Sequence, residues 1–565
     1  MKKIMKERAG ELLICLAIFL ITLCCFKFVI DDYSYFASNL AAKQFSDFSY
    51  FDFHFQGYIG IREIYKLFYF IMPAINWHFV FSVVTEFIGL YLVLRSLKTV
   101  ALSKINSVFL IRAIQVMFAL FYLEDILFIS HTRVSLIFCG VAVFNLAFMK
   151  GIKPRDIILY SLLFIYGLLL RPEGAMGTLL LATGGLLIHS FNLKSLVKRL
   201  WLPALAVVTF VAIFTIDLIH TDLYVRKIEP EVEYKVMADR MVGLDKMKTA
   251  RDSIKYKAAK IGMWFDTREM SPTYLRSILL PGADISLQHI KEVFLHVSSF
   301  YRSYIFIDVL IIVFLILGLA LFPDRWGLII KMVVYVVFTF IVIYALDYNG
   351  LLVCNRHFFN LQFISLLVLC FYFFNAGPFT EFKSKRKTVF LAVLFLVCGL
   401  AITLVKYKRE NEEVNNYVSN MVKTMNKFEA KYTNRVVVVT NDGRFLFDQH
   451  FSIWNNNYTK NTYLIYDWFT FAVTPRYVDY LNRTCNCDAS DPVAFFSWLA
   501  SKNALYISAP HRFDLTEKFM RTVKGCNIVL DSPVKVNDLA GVNDNETINA
   551  EIRTVRLLPD SIHLN

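Results

Sequence analysis

Long apolar runs recur through the first 405 residues, and alternate connections between them are short and basic. Stretches at 11–30, 77–95, 107–126, 131–149, 156–171, 174–192, 200–219, 303–322, 327–347, 358–375 and 388–405 each approach the length a helix needs to cross a hydrocarbon core. The pattern predicts a polytopic α-helical membrane protein with about eleven transmembrane helices. Lys2, Lys3, Lys6 and Arg8 precede the first span and hold that end in the cytoplasm. The alternating loops then predicted to be cytoplasmic carry Arg95, Lys98 and Lys104; Lys150, Lys153 and Arg155; Lys194, Lys198 and Arg199; Arg325 and Lys331; and Lys383, Lys385, Arg386 and Lys387. Every one of these loops is basic, as the expected orientation requires.

The opposite face has two long loops, roughly 31–76 and 220–302. GYIGIREIYKLFYFIMPAIN in the first reads as amphipathic and suited to lie along the membrane surface. MADRMVGLDKMKTARDSIKYKAAKIGMWF in the second reads as one or two helices. Beyond residue 405 the pattern changes. KYKRENEEVNNYVSNMVKTMNKFEAKY predicts a helix leaving the membrane; RVVVVTND, NALYIS and CNIVLDSP predict strands; SDPVAFFSWLAS and LTEKFMRTVKG predict helices between them. Strand–helix alternation points to a small C-terminal α/β domain. The expected division is a membrane module at 1–405 and a soluble extracytoplasmic domain at 406–565.

Composition sharpens this reading. Hydrophobic residues make up 56% of the chain, above the range of soluble domains. Phe (53) and Tyr (29) are abundant, and many sit at span ends, where rings with a wet edge settle. A net charge of +14 would suggest nucleic acid in a soluble protein, but the cations fall in the inner loops and topology accounts for them. Of ten cysteines only Cys485, Cys487 and Cys526 lie in the tail. An oxidising compartment would favour pairing Cys526 with one of the other two. No CxxC or Cys/His zinc spacing, P-loop, GxGxxG, GxSxG or HExxH motif stands where it would work. No metal or cofactor and no nucleic-acid partner is expected, and no cleavable leader is recognised.

Ionisable residues at or within apolar spans are costly, which marks them as functional candidates. Five groups stand out, all on the predicted outer face. Asp31 and Asp32 follow the first span and offer a general base. Glu124 and Asp125 sit in apolar FYLEDILFIS, with His131 and Arg133 close enough in sequence to pair with them. Structural ion pairing and catalysis are equal readings of that group. Arg171 and Glu173, in LLLRPEGAMG, offer a guanidinium for a phosphate or an internal salt bridge. Arg356 and His357, in LVCNRHFFNLQF, form either a phosphate clamp or an interfacial pair. Asp217 with His220 is the fifth.

An acidic pair after the first span, Arg171-Pro172-Glu173, and Arg356-His357 at the outer start of a late span together resemble the GT-C superfamily of integral membrane glycosyltransferases. The layout is most similar to the branch of protein O-mannosyltransferases and aminoarabinose transferases. Many bacterial members have Arg-Tyr where this chain has Arg356-His357. The resemblance covers roughly residues 1–405. It implies a polyprenyl-phosphate sugar donor and transfer to a glycan, glycolipid or protein acceptor, such as O-antigen or lipopolysaccharide, at a bacterial inner membrane. It further implies an inverting single displacement, with Asp31 or Asp32 as base. The other groups, Arg171, Glu173, Arg356, His357, Glu124, Asp125 and Arg133, would serve the substrates. Two alternatives remain: an O-antigen polymerase or ligase using Arg251, Arg268, Arg276, His289 and His296 of the later outer loop, and a lipid-linked sugar flippase, whose repeats and broken spans are not evident.

Overall fold

The computed structural model describes residues 2–25, 29–30, 61–72, 74–75, 77–103, 105, 107–170, 172–190, 193–220, 249–260, 287–303, 305–321, 326–348, 355–376, 385–402, 423–424, 426–440, 461–465, 481–489, 491–535 and 550–558. A helix stands at each of the eleven apolar stretches: α1 (Lys2–Cys25), α3 (Trp77–Ser96), α4 (Val108–Phe121), α6 (His131–Phe148), α7 (Pro154–Leu170), α8 (Pro172–Ser190), α9 (Leu193–His220), α12 (Ile305–Leu321), α13 (Trp326–Tyr348), α14 (Asn355–Phe371) and α15 (Lys385–Ile402). The amphipathic outer-loop segments supply α2 (Ile61–Ile71), α10 (Ala250–Lys260) and α11 (Leu287–Ser303). A single turn, α5 (Leu123–Leu127), lies between α4 and α6.

Among the described residues, three helices are long and apolar enough to cross a membrane by themselves: Phe79–Ala101, Trp326–Tyr348 and His357–Asn375. The paired segments Val293–Arg302 and Ile307–Leu317 meet the same measure together, bent by 77°. The central helix α14 is enclosed by its neighbours from His357 to Asn375. Outer helices turn apolar stripes outward at helical spacing: Ile305, Val309, Ile312 and Ile316 on α12; Val389, Val393, Val397 and Leu400 on α15. In water such stripes would be a liability, but against acyl chains they are the matching surface.

Close approach within the bundle depends on small residues. A Cβ on Gly167 of α7 would lie 2.9 Å from the Ser135 carbonyl of α6, so glycine lets these backbones touch. The Ser135 hydroxyl uses that proximity to donate to the Gly167 carbonyl at 2.7 Å. Two π-helical turns, Leu97–Ala101 after α3 and Tyr372–Ala376 after α14, face each other. A widened turn frees carbonyls, and the Asn375 amide donates to those of Val100 (2.6 Å) and Ala101 (2.5 Å). At the same end Glu11 ties α1 to its neighbours, 2.7 Å from Arg112 and 3.1 Å from Lys98. Arg112 Nη1 also donates to Gln115 Oε1 at 2.6 Å.

The tail forms a five-stranded sheet in the order β4-β3-β5-β7-β6, with β3 (Val436–Val439), β4 (Thr462–Ile465), β5 (Leu505–Ser508), β6 (Ile528–Lys535) and β7 (Glu551–Leu557). β3, β4 and β5 run parallel, while β7 is antiparallel to β5 and β6 to β7. Asp491 caps α16 (Pro492–Ser501), and Gly525, in the left-handed region, ends α17 (Pro510–Lys524). α10 from the second outer loop packs on α17, with Ala258 in the same apolar core as Phe513 and Ile507.

The expected disulfide is not formed: Cys485, Cys487 and Cys526 are free thiols. Burial, with the neighbouring Cys487 thiol adding to it, pushes the Cys485 thiol up to about 12. Burial likewise raises the Cys526 thiol, so neither is a ready thiolate near neutral pH.

Candidate functional site

The N-terminal turn of α6 is built on a break in the chain. α4 ends at Phe121, and the Tyr122 carbonyl then accepts from the amides of Asp125 (3.1 Å) and Ile126 (3.2 Å), closing α5. The chain runs out through the two-residue strand β2 (Phe128–Ile129), and Ser130 caps α6 by accepting from the Thr132 amide at 3.3 Å. This path puts Glu124 and Asp125 before a helix N-terminus, where carboxylates are favoured, and Arg133 inside its first turn, where a cation is not. The contradiction is resolved by pairing. Arg133 donates to Asp125 Oδ1 at 3.0 Å and to Glu124 Oε1 at 3.5 Å, and its guanidinium lies over the rings of Phe128 (5.7 Å) and Phe359 (5.8 Å). All three charged side chains are at least 96% buried.

Two further elements complete the group. Asn360 of α14 donates from Nδ2 to Asp125 Oδ1 at 3.1 Å. On α3, Glu86 accepts from the Tyr122 hydroxyl at 2.6 Å, and both side chains are fully enclosed. Among the described residues, the carboxylates of Glu86, Glu124 and Asp125 thus share a buried region with the Arg133 guanidinium. Ionisable groups buried in an apolar bundle are costly, which marks these as candidates for a role beyond packing. No set of three His, Cys, Asp or Glu side chains able to hold a metal occurs among the described residues.

The candidates read from sequence fall around this turn to different extents. Glu124, Asp125 and Arg133 are in one ion-paired group, as their spacing allows. His357 is buried one helical turn before Asn360 on α14, so the Arg356–His357 segment adjoins the same group. Asp31, Asp32 and Arg171 lie outside the described residues, as do the side chains of Glu173, Arg356, His131, Asp217 and His220. Their chain neighbours are described. Val29 and Ile30 form β1, which pairs in parallel with Phe128 and Ile129 between Asp125 and Arg133. Leu170, the last residue of α7, shares an apolar cluster with Val134 of α6. Segments leading to three of the sequence-derived groups thus meet at the α6 N-terminus beside the fourth.

Of the residues of the later outer loop, His296 on α11 has Nδ1 2.9 Å from Asp347 Oδ2 of α13, and Phe300 and Tyr301 pack on Phe358 of α14. Arg251 is exposed on α10, and Arg268 and Arg276 lie outside the described residues.

Glu86, Tyr122 and Asn360 carry part of this arrangement and do not stand out as span-end charges. Glu86 had a readable signal, a lone acid in the middle of the apolar run WHFVFSVVTEFIGLYLVLRS. Asn360 had little, since an amide near a span end is an ordinary interfacial residue.

No protein-family model and no curated protein matches the chain. Among solved structures, the crystal structure of ArnT from Cupriavidus metallidurans in the apo state aligns over 96% of this chain and 97% of that one, with 9% identity and a TM-score of 0.38. The chain's long apolar helices support a membrane location.

Proposed function

We infer that this chain is an integral membrane glycosyltransferase of the GT-C type, taking a sugar from a polyprenyl-phosphate donor and passing it to an extracytoplasmic acceptor, a cell-surface glycan or glycolipid such as O-antigen or lipopolysaccharide. The observation that supports this most is the buried Glu124–Asp125–Arg133–Asn360 group at the α6 N-terminus, with the chain leading to Asp31 running beside it through β1. Asp31 or Asp32 takes the proton of the acceptor hydroxyl. The oxygen forms its bond to the anomeric carbon while the bond to the phosphate oxygen breaks, and the electron pair leaves with polyprenyl phosphate. Arg171 and Arg356, with Glu173 and His357 beside them in the chain, would bind the donor phosphate and stabilise its developing charge. Glu124, Asp125 and Arg133 complete the substrate site. In this reading residues 1–405 are the catalytic module, with about eleven membrane spans, and 406–565 form an extracytoplasmic domain of a bacterial inner-membrane protein. Lipid meets the outward apolar stripes.

The test is turnover by the purified chain in lipid vesicles, given undecaprenyl-phosphate-linked sugars and a lipopolysaccharide acceptor. Labelled sugar should move to the acceptor as free undecaprenyl phosphate accumulates one for one. A chain that neither binds nor consumes any polyprenyl-phosphate sugar would end this reading. Orientation is checked separately. Reporter fusions at residue 190 should read cytoplasmic and at residue 430 extracytoplasmic, and the same compartment for both would refute the topology.

A further inference from the structure

Glu86 is the tenth residue of α3 and so lies about 13.5 Å along the axis from that helix's first residue, well inside the bundle. It is far from any span end, and its only hydrogen-bond partner among the described residues is the Tyr122 hydroxyl. A carboxyl group held in an apolar bundle for one hydrogen bond needs a reason beyond packing, because a leucine would fill the space at less cost. Tyr122 shows what the bond does. Its hydroxyl occupies the place a side chain at position 89 would take: a Cβ on Gly89 would be 2.4 Å from it. Its ring packs edge-on against Phe363 of α14, with centroids 6.0 Å apart. Its carbonyl meanwhile holds the amides of Asp125 and Ile126, so the residue clamped through its side chain is the one on which the Glu124–Asp125 turn is built.

We propose that Glu86 and Tyr122 are a positioning pair that fixes the Glu124–Asp125–Arg133 group for sugar transfer. This rests on the function inferred above. Neither residue is asked to touch substrate. Tyr122 is held from α3 by Glu86 and from α14 by Phe363, and a shift of its main chain moves Asp125 away from Arg133 and Asn360. Displacements near 1 Å in such a group can cost about a hundredfold in rate.

The experiment compares Glu86→Gln, Glu86→Leu and Tyr122→Phe in the full chain, with Arg112→Leu as a control that loosens the opposite end of the bundle. Glu86→Leu and Tyr122→Phe should each lower kcat about tenfold to a hundredfold with donor KM within about twofold. Glu86→Gln keeps a carbonyl oxygen to accept the tyrosine proton and should retain kcat within about threefold. The double variant Glu86→Leu/Tyr122→Phe should be no slower than either single one, since both remove the same bond. Arg112→Leu should lower thermal stability without lowering kcat per folded molecule. Wild-type kcat in Tyr122→Phe, or equal losses in Glu86→Gln and Glu86→Leu, would overturn the pairing. So would losses that merely track folded fraction, as in the control. Hydrogen exchange gives a readout that needs no turnover: amides 123–127 should exchange faster in Tyr122→Phe and Glu86→Leu, while those of α7 are unchanged. If wild type transfers no sugar yet this contrast appears, the functional reading falls and the clamp stands. If sugar is transferred and the contrast is absent, the clamp falls.

Discussion

Replacing both Asp31 and Asp32 with Asn should abolish most sugar transfer, lowering turnover by about 10²–10⁴-fold while leaving donor binding nearly intact. The magnitude is what a positioned base contributes to removing a hydroxyl proton in the transition state. Asparagine keeps size and polarity but cannot take the proton, so binding of the lipid phosphate, which depends on cations, should be spared. The single variants assign the role: one should reproduce the double loss, and the other should stay within about tenfold of wild type. Measuring kcat for transfer beside equilibrium binding of undecaprenyl phosphate separates the two effects. Transfer at the wild-type rate in the double variant would remove these residues from the mechanism. Binding lost as fully as turnover would move them from base to binding group.

The helical bundle was legible because its signal is long and redundant. Each apolar stretch is flanked by charge, and α3, α13 and α14 satisfy length and apolarity together. The pairing of Arg133 with Glu124 and Asp125 was legible too, since eight or nine residues around a capped turn bring them within reach. What brings α14 to this turn was not. Asn360 and Asp125 are 235 residues apart, and nothing local in NLQF announces which helix it will face. The strands β1 and β2 have two residues each, too short for any periodic pattern to mark them. In the tail the continuous apolar runs of β3, β5 and β6 were readable. β7, EIRTVRL, was missed because arginine and threonine interrupt it, although Ile552 and Val555 are buried. Arg553 is accommodated there by Glu551 at 2.8 Å and by the Phe513 ring at 4.5 Å. Antiparallel addition of β7 turns a strand–helix alternation into a mixed sheet, which alternation alone does not foretell.

The ion-paired group makes the other large prediction, because removing the cation that joins its acids differs from removing one of those acids. Arg133→Met preserves length and apolar contact with Phe128 and Phe359 but leaves Glu124 and Asp125 buried without their guanidinium. Breaking a buried pair from one side costs about 3–5 kcal/mol, which for a membrane bundle should appear as a large loss of folded protein after detergent extraction. Asp125→Asn alone should be milder, since the amide oxygen still accepts from Arg133 and Glu124 still balances the charge. The informative variant combines them. In Arg133→Met/Asp125→Asn one carboxylate has been neutralised with the cation, so much of the lost stability should return, and the coupling should be favourable by about 1–3 kcal/mol. Activity should not return with it, because the arrangement of carboxylates at the α6 N-terminus is gone. Thermal unfolding of the four proteins in one detergent, beside their rates of transfer, makes the comparison. Additive stability losses would mean that Arg133 and Asp125 do not act as a pair. Recovery of full turnover with recovered stability would mean that the group holds the bundle together and has no further part in sugar transfer.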